Sequence, residues 1–186
     1  MSDRRDPAAP LIATLGFDPG TFARLDALRR RYFPPERNLV PAHVSLFHAL
    51  PPEEEEAIVA AVAGKVASIG PIPLRFAALK RLGRGMAVQV DAPGLAAVHR
   101  SLAETFRPWL TPQDRQPFRP HVTIMNKADR ADAELAYQQL GAAWEPFDGI
   151  GTALLLWAYR GGPWEPVAEF RFGGGSGTTT GGASSA

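Results

Sequence analysis

The sequence predicts an α+β fold with two similar lobes around a central cleft. Segments with the two-residue period of strands alternate along the chain with segments of helical period. A glycine turn, Gly83-Arg84-Gly85, divides this series into two halves of β-α-β-α-β order. The pattern His-apolar-hydroxyl-apolar occurs in the middle strand of each half, at His43 and at His121. Because repeated units commonly pack about a pseudo-two-fold axis, we expect mostly antiparallel sheets around the cleft and helices outside.

The first half contains three predicted strands and two predicted helices. The strands cover residues 11–17, 40–50 and 72–80. The first helix begins after Asp18, which can cap it, with Pro19 at the first helical position, and it ends at Pro34-Pro35. The second helix opens on four glutamates, residues 53–56, whose charge suits the N-terminal end of the helix dipole, and Gly70-Pro71 ends it.

The second half repeats this order and adds one strand. Its predicted strands cover residues 86–90, 120–125, 147–159 and 167–172. One helix carries an apolar stripe from Leu95 to Phe106, and a second helix, residues 131–140, is stopped by Gly141. We therefore expect a single bilobal domain at residues 9–172, with lobes at about 9–82 and 83–172. Residues 173–186 form a Gly/Ser/Thr segment of low complexity, which predicts a disordered tail.

The composition excludes several classes of protein. The 186 residues include no cysteine, so disulfides, thiol nucleophiles and cysteine metal sites are absent. A formal net charge of +1 argues against a protein that clamps long duplex nucleic acid, and favours contact with a short fragment or an end. No signal-peptide pattern or membrane-spanning run is present, which predicts a cytoplasmic protein without membrane contact, and we expect a monomer.

The two histidine motifs carry the chemistry. In His43-Val44-Ser45-Leu46 and His121-Val122-Thr123-Ile124, strand alternation places the histidine and the hydroxyl on one face. Displacement at phosphorus needs a base on the attacking side and an acid on the leaving side, and imidazole can serve as either near neutral pH. The hydroxyls can donate hydrogen bonds to the non-bridging phosphate oxygens. The pattern predicts catalysis by two histidines that requires no metal or cofactor.

With Pro120 before the second motif, these residues make the chain resemble the 2H phosphoesterase superfamily, in its 2′–5′ RNA ligase-like, cyclic phosphodiesterase branch. The resemblance covers about residues 10–172. It implies catalytic roles for His43 and His121, phosphate binding by Ser45 and Thr123, and activity on 2′,3′-cyclic phosphates or 2′–5′ linkages. The implied partner is a small nucleotide or an RNA 3′ end.

Other side chains are weaker candidates. Lys127 and Arg119 share the strand parity of His121, so each is either a substrate contact or a solvated residue at a strand end. His48 lies five residues after His43, and a regular strand would direct it away from the cleft. His99 flanks an apolar helical stripe and is expected at the boundary of the core.

We expect a metal-independent phosphodiesterase that hydrolyses a cyclic phosphodiester, and two other functions are alternatives. RNA 2′–5′ ligation would run the same site in reverse on two RNA ends. A catalytically idle module that binds nucleotides or RNA ends is the other. A metal centre is disfavoured because the motifs lack the usual ligand spacing, and a serine triad is disfavoured because no G-x-S-x-G sequence occurs.

Overall fold

The computed structural model describes residues 9–173, which form seven strands and four α-helices. The strands are β1 (Leu11–Phe17), β2 (Val44–Leu50), β3 (Ile72–Arg81), β4 (Met86–Asp91), β5 (His121–Met125), β6 (Phe147–Ala158) and β7 (Glu165–Arg171). The helices are α1 (Pro19–Tyr32), α2 (Glu55–Val66), α3 (Pro93–Thr105) and α4 (Arg130–Ala142), with short 3₁₀ helices at Pro35–Arg37 and Pro52–Glu54. The predicted succession of elements is confirmed, and most boundaries agree to within a few residues.

All strand pairs are antiparallel, and the strands belong to one sheet of order β2-β1-β6-β3-β4-β5, with β7 also paired to β6. The long strand β6 joins two groups, because residues 147–151 pair with β3 whereas residues 151–158 pair with β1. The two end strands, β2 and β5, contact each other. The sheet is therefore curled, and this curl brings the two motif strands together. The predicted α+β class with helices and antiparallel strands is confirmed.

The strand pairing crosses the lobe boundary that the sequence suggested. Strand β3 lies in the predicted first lobe, 9–82, but it pairs with β4 and β6, which lie in the predicted second lobe, 83–172. The turn between β3 and β4 explains why these two strands pair. Gly83 adopts a positive φ of 54° and the Leu82 amide donates to the Gly85 carbonyl at 3.0 Å, which closes a tight hairpin. The halves of the sequence thus exchange strands within a continuous sheet.

Asp18 determines where α1 begins and attaches this helix to the sheet. One of its carboxylate oxygens accepts hydrogen bonds from the Gly20 and Thr21 amides, both at 3.0 Å. The other accepts from the Ile150 amide of β6, also at 3.0 Å. The cap predicted from the sequence therefore orients α1, which also contacts β5 and carries a residue of the site described below.

The tail prediction falls almost entirely outside the described residues. Of residues 173–186, the structure describes only Gly173, whose amide donates to the Ile69 carbonyl at 2.7 Å. In the part of the chain between residues 9 and 173, no helix has both the length and the apolar character that crossing a bilayer would require.

Candidate active site

The four motif side chains line one cleft of about 590 Å³ between the facing ends of the sheet. His43 immediately precedes β2 and His121 is the first residue of β5, with Ser45 and Thr123 two residues further along each strand. The intervening Val44 and Val122 are fully buried, as expected for the opposite face of each strand. The curl of the sheet therefore brings together two imidazoles and two hydroxyls from residues far apart in the sequence.

The two imidazoles are held in the same way. His43 donates from Nδ1 to the Pro41 carbonyl at 2.7 Å, and His121 donates from Nδ1 to the Arg119 carbonyl at 2.9 Å. In each case the acceptor lies two residues before the histidine. A carbonyl can only accept, so Nδ1 carries the proton and Nε2 of the neutral ring keeps its lone pair. Among residues 9–173, neither Nε2 has a hydrogen-bond partner, so both are available to a substrate.

Burial lowers the pKa of both histidines. The pKa of His43 falls to about 4, chiefly through burial. The hydrogen bond to the Pro41 carbonyl acts in the opposite direction. The positive charges of Arg29, His48 and His121 lower the pKa further. The pKa of His121 is also lowered by burial, with an opposing effect of the Arg119 carbonyl and a further lowering by Lys80 and His48. At neutral pH the imidazoles of His43 and His121 are therefore neutral.

Trp164 covers one side of His43. It lies in the loop between β6 and β7, and its ring centroid is 4.7 Å from that of His43 at an interplanar angle of 53°. Trp164 also lines the cleft, so it can contact a ligand as well as the histidine. The sequence analysis missed this residue because a loop has no periodicity that would place a side chain in a site.

Arg29 is a buried residue that links the two motifs. Its side chain is among the largest fully buried ones, with 2% of the residue exposed. The guanidinium donates to the Thr123 carbonyl at 2.6 Å, to the Val40 carbonyl at 3.1 Å and to Asn38 Oδ1 at 2.8 and 3.2 Å. It therefore connects β5 to the segment that leads into His43. The sequence analysis did not select Arg29, although its spacing of four residues from buried Leu25 was an available signal.

His48 faces the cleft, so the prediction that it points away is wrong. The alternation of β2 breaks at Leu46 and Phe47, which are both buried, and the pairing with β1 shifts register at this place. Such a bulge inserts an extra residue and reverses the faces of those that follow. His48 consequently lines the same cleft as His43 and His121. A regular strand would have placed its side chain on the opposite face.

Of the two weaker candidates for substrate contact, Arg119 lies at the cleft and Lys127 does not. Arg119 is exposed and lines the cleft, as does Lys80 of β3. Lys127 does not line the cleft. The strand parity that suggested its contact with substrate ends with β5 at Met125, and the Lys127 backbone has a positive φ of 54°.

His99 is a packing residue of the cleft wall. Only 8% of it is exposed, so it lies deeper than the predicted boundary position. Its ring stacks between Phe118, at a centroid distance of 4.0 Å, and Phe47, at 4.9 Å. The stack joins β2 to the segment that precedes His121, and burial lowers the pKa of His99.

A second groove of about 720 Å³ adjoins the cleft and shares part of its wall, including Asp114 and Phe118. Three exposed arginines line it, Arg100, Arg107 and Arg115. None of the three forms an ion pair with another residue in the range 9–173. Among the same described residues, no cluster of three or more histidines and carboxylates is arranged to share a metal ion.

Comparison with known proteins identifies the family of the chain. The chain matches the 2′-5′ RNA ligase superfamily over residues 17–163, more than half of its length, and it therefore belongs to this family of 2H phosphoesterases. No curated protein is similar enough in sequence to count as a relative.

Solved structures share the fold. TT0787 of Thermus thermophilus matches with a TM-score of 0.60 and 16% identity, over 90% of this chain and 100% of that one. E. coli LigT complexed with 3′-AMP matches with a TM-score of 0.61 and 18% identity, over 89% of this chain and 98% of LigT. LigT complexed with ATP matches with a TM-score of 0.56 and 19% identity, over 90% and 99% of the two chains.

Proposed function

We propose that the protein is a metal-independent phosphodiesterase that hydrolyses a 2′,3′-cyclic phosphate on an RNA end or a nucleotide. The observation that carries this proposal is the pair of imidazoles in one cleft, each held through Nδ1 with Nε2 free. Two such groups can transfer protons on opposite sides of a phosphorus atom without a cofactor. The complex of LigT with 3′-AMP is consistent with a ligand of nucleotide size.

In the proposed reaction, one imidazole accepts a proton from water as the water oxygen attacks phosphorus. The bond from phosphorus to one ribose oxygen breaks, and the second imidazole donates its proton to that oxygen. The product is a phosphate monoester with one free ribose hydroxyl. Because the two rings are held in the same way, either His43 or His121 can act as the base while the other acts as the acid. A bound phosphate anion would favour the charged form of the imidazole that acts as the acid.

The motif hydroxyls complete the phosphate site. Ser45 and Thr123 lie on the same strand faces as the histidines and can donate to the non-bridging oxygens, where charge shifts in the transition state. Arg29 fixes the backbone of Thr123 and the approach to His43, which keeps the two motifs in register. Trp164 provides an apolar surface beside the phosphate position.

The adjoining groove favours an RNA 3′ end over a free nucleotide as substrate. Its three arginines can contact the phosphates that precede the terminal nucleotide, whereas a cyclic mononucleotide has no such phosphates. The modest net charge of the chain is thus compatible with local contact to a short single strand.

Turnover on the four nucleoside 2′,3′-cyclic phosphates and on a labelled oligoribonucleotide ending in a cyclic phosphate tests the proposal. We expect hydrolysis of the oligonucleotide to a monoester, at a rate that excess chelator does not change. Joined RNA strands as the main product would show a ligase, and binding without turnover would show an idle module. Loss of activity on chelation with recovery by a divalent ion would contradict the metal-independent mechanism.

A further inference from the structure

The cleft contains a third imidazole that the two motifs do not account for. His48 lines it together with His43 and His121, and 44% of the His48 side chain is exposed. Its positive charge would lower the pKa of each of the other two, which shows that it lies within electrostatic range of both. The bulge in β2 is the feature that brings it there.

Asp114 orients this imidazole. The carboxylate is completely buried and accepts a hydrogen bond from His48 Nδ1 at 2.8 Å. It also accepts from the backbone amides of His48 at 2.8 Å and Ala49 at 3.2 Å, and from the Thr111 hydroxyl at 3.1 Å. Burial alone would raise the pKa of Asp114, but the hydrogen bonds from His48 and Ala49 outweigh burial and hold it below its ordinary value. The carboxylate is therefore ionised at neutral pH.

This geometry determines what the ring can offer a ligand. A carboxylate only accepts hydrogen bonds, so Nδ1 of His48 carries a proton and the free position is Nε2. An ionised carboxylate at 2.8 Å is also a counter-ion for the imidazolium form, in which Nε2 is a charged donor. The other charged or titratable groups around the cleft are Lys80, Arg119, His99 and the two motif histidines.

We propose that His48, oriented by Asp114, is a third phosphate-contacting residue, whose Nε2–H donates a hydrogen bond to a non-bridging oxygen of the substrate. This proposal rests on the function proposed above and adds a group to the phosphate site. Asp114 acts as a positioning residue. His48 transfers no proton in the reaction, so its loss weakens phosphate binding and leaves the two-histidine chemistry in place.

Calorimetric binding of inorganic phosphate to the full chain tests this assignment independently of turnover. A hydrogen bond between charged groups corresponds to roughly a 10- to 150-fold change in affinity, and we expect His48→Ala to weaken phosphate binding by at least tenfold. His48→Gln keeps a neutral donor and should recover part of the loss. Asp114→Asn should weaken binding by a smaller factor, because the ring loses its counter-ion and its fixed tautomer.

Gln113→Ala is the matched control, because Gln113 is an uncharged residue of the same cleft wall. This variant should bind phosphate with the affinity of the wild type. On a substrate that the wild type hydrolyses, His48→Ala should raise KM more than it lowers kcat. Phosphate affinity within twofold of wild type in both folded His48 variants, or no measurable phosphate binding by the wild type, would overturn the assignment. A wild type that binds phosphate through His48 without hydrolysing any substrate would instead refute the proposed function alone.

Discussion

Replacing Arg29 with methionine would test whether a buried guanidinium holds the two motifs together. The substitution keeps an unbranched apolar stem but removes every donor. Three acceptors, the Thr123 and Val40 carbonyls and Asn38 Oδ1, would lose their hydrogen bonds. A fully buried acceptor without a partner costs about 1–3 kcal/mol, so about 3–9 kcal/mol is an upper bound for these three, whose hydrogen bonds are only partly buried.

Two effects reduce this cost. The variant no longer buries a positive charge, and burial disfavours that charge strongly enough to lower the pKa of Arg29 to about 10. Water can also enter and bridge polar groups in a space vacated by a guanidinium. We therefore expect a loss of about 3 kcal/mol in the free energy of unfolding, which urea denaturation measures. Arg29→Lys should recover little, because an ammonium cannot reproduce the planar arrangement of donors.

The same substitution should change the site. The charge of Arg29 lowers the pKa of His43, so its removal should raise this pKa from about 4 towards the ordinary value, as followed by NMR titration of the folded variant. Displacement of the motif strands should lower kcat/KM by up to about 100-fold. An unfolding free energy within about 0.5 kcal/mol of wild type, the effect of a neutral surface substitution, together with an unchanged His43 pKa, would refute the linking role.

Three further predictions concern the hydroxyls, pH and salt. Ser45→Ala and Thr123→Val should each lower kcat/KM by about 10- to 150-fold, the value of one hydrogen bond to a charged oxygen, and an effect below threefold would contradict phosphate contact. The pKa values of both motif histidines are lowered below 6.5. We therefore expect kcat/KM to rise with pH as the base loses its proton and to fall as the acid loses its proton. The maximum should lie on the acidic side of pH 6.5. With three arginine–phosphate contacts, kcat/KM on the oligonucleotide should fall about 20-fold between 50 and 200 mM salt. Changing Arg100, Arg107 and Arg115 of the groove to glutamine should remove this salt dependence. The control variant R24Q/R31Q/R130Q, which changes three arginines outside the groove, should keep it.

The elements of the fold could be predicted because local physical chemistry determines them. The aspartate cap and Pro19 start α1, and the glutamates of residues 53–56 lie at the start of α2. The pairing of β3 was not predictable from the repeat alone. The predicted turn at Gly83 places β3 beside β4, but the repeated order of elements gives no information on its second neighbour, which is β6.

The candidate site was predictable in its repeated part only. His43 and His121 could be found because each belongs to a motif whose spacing matches the period of a strand. The face of His48 could not be predicted, because the position of a bulge in β2 cannot be read from the sequence. Leu46 and Phe47 are both apolar, so their order does not show which of them is the extra residue. Trp164 reaches the cleft from a loop, and only the tertiary structure brings that loop to His43.

The two histidines, His43 and His121, are expected to act as one catalytic unit. Phosphorus NMR can follow hydrolysis of a 2′,3′-cyclic phosphate by the wild type, His43→Ala, His121→Ala and the double variant, each checked for native folding. We expect each single variant to lose about 10²–10⁴-fold in kcat. The double variant should be about as slow as the slower single one, because removing either partner already disables the proton transfers. A folded single variant within tenfold of the wild-type rate, or a double variant slowed by the product of the two single losses, would contradict the mechanism.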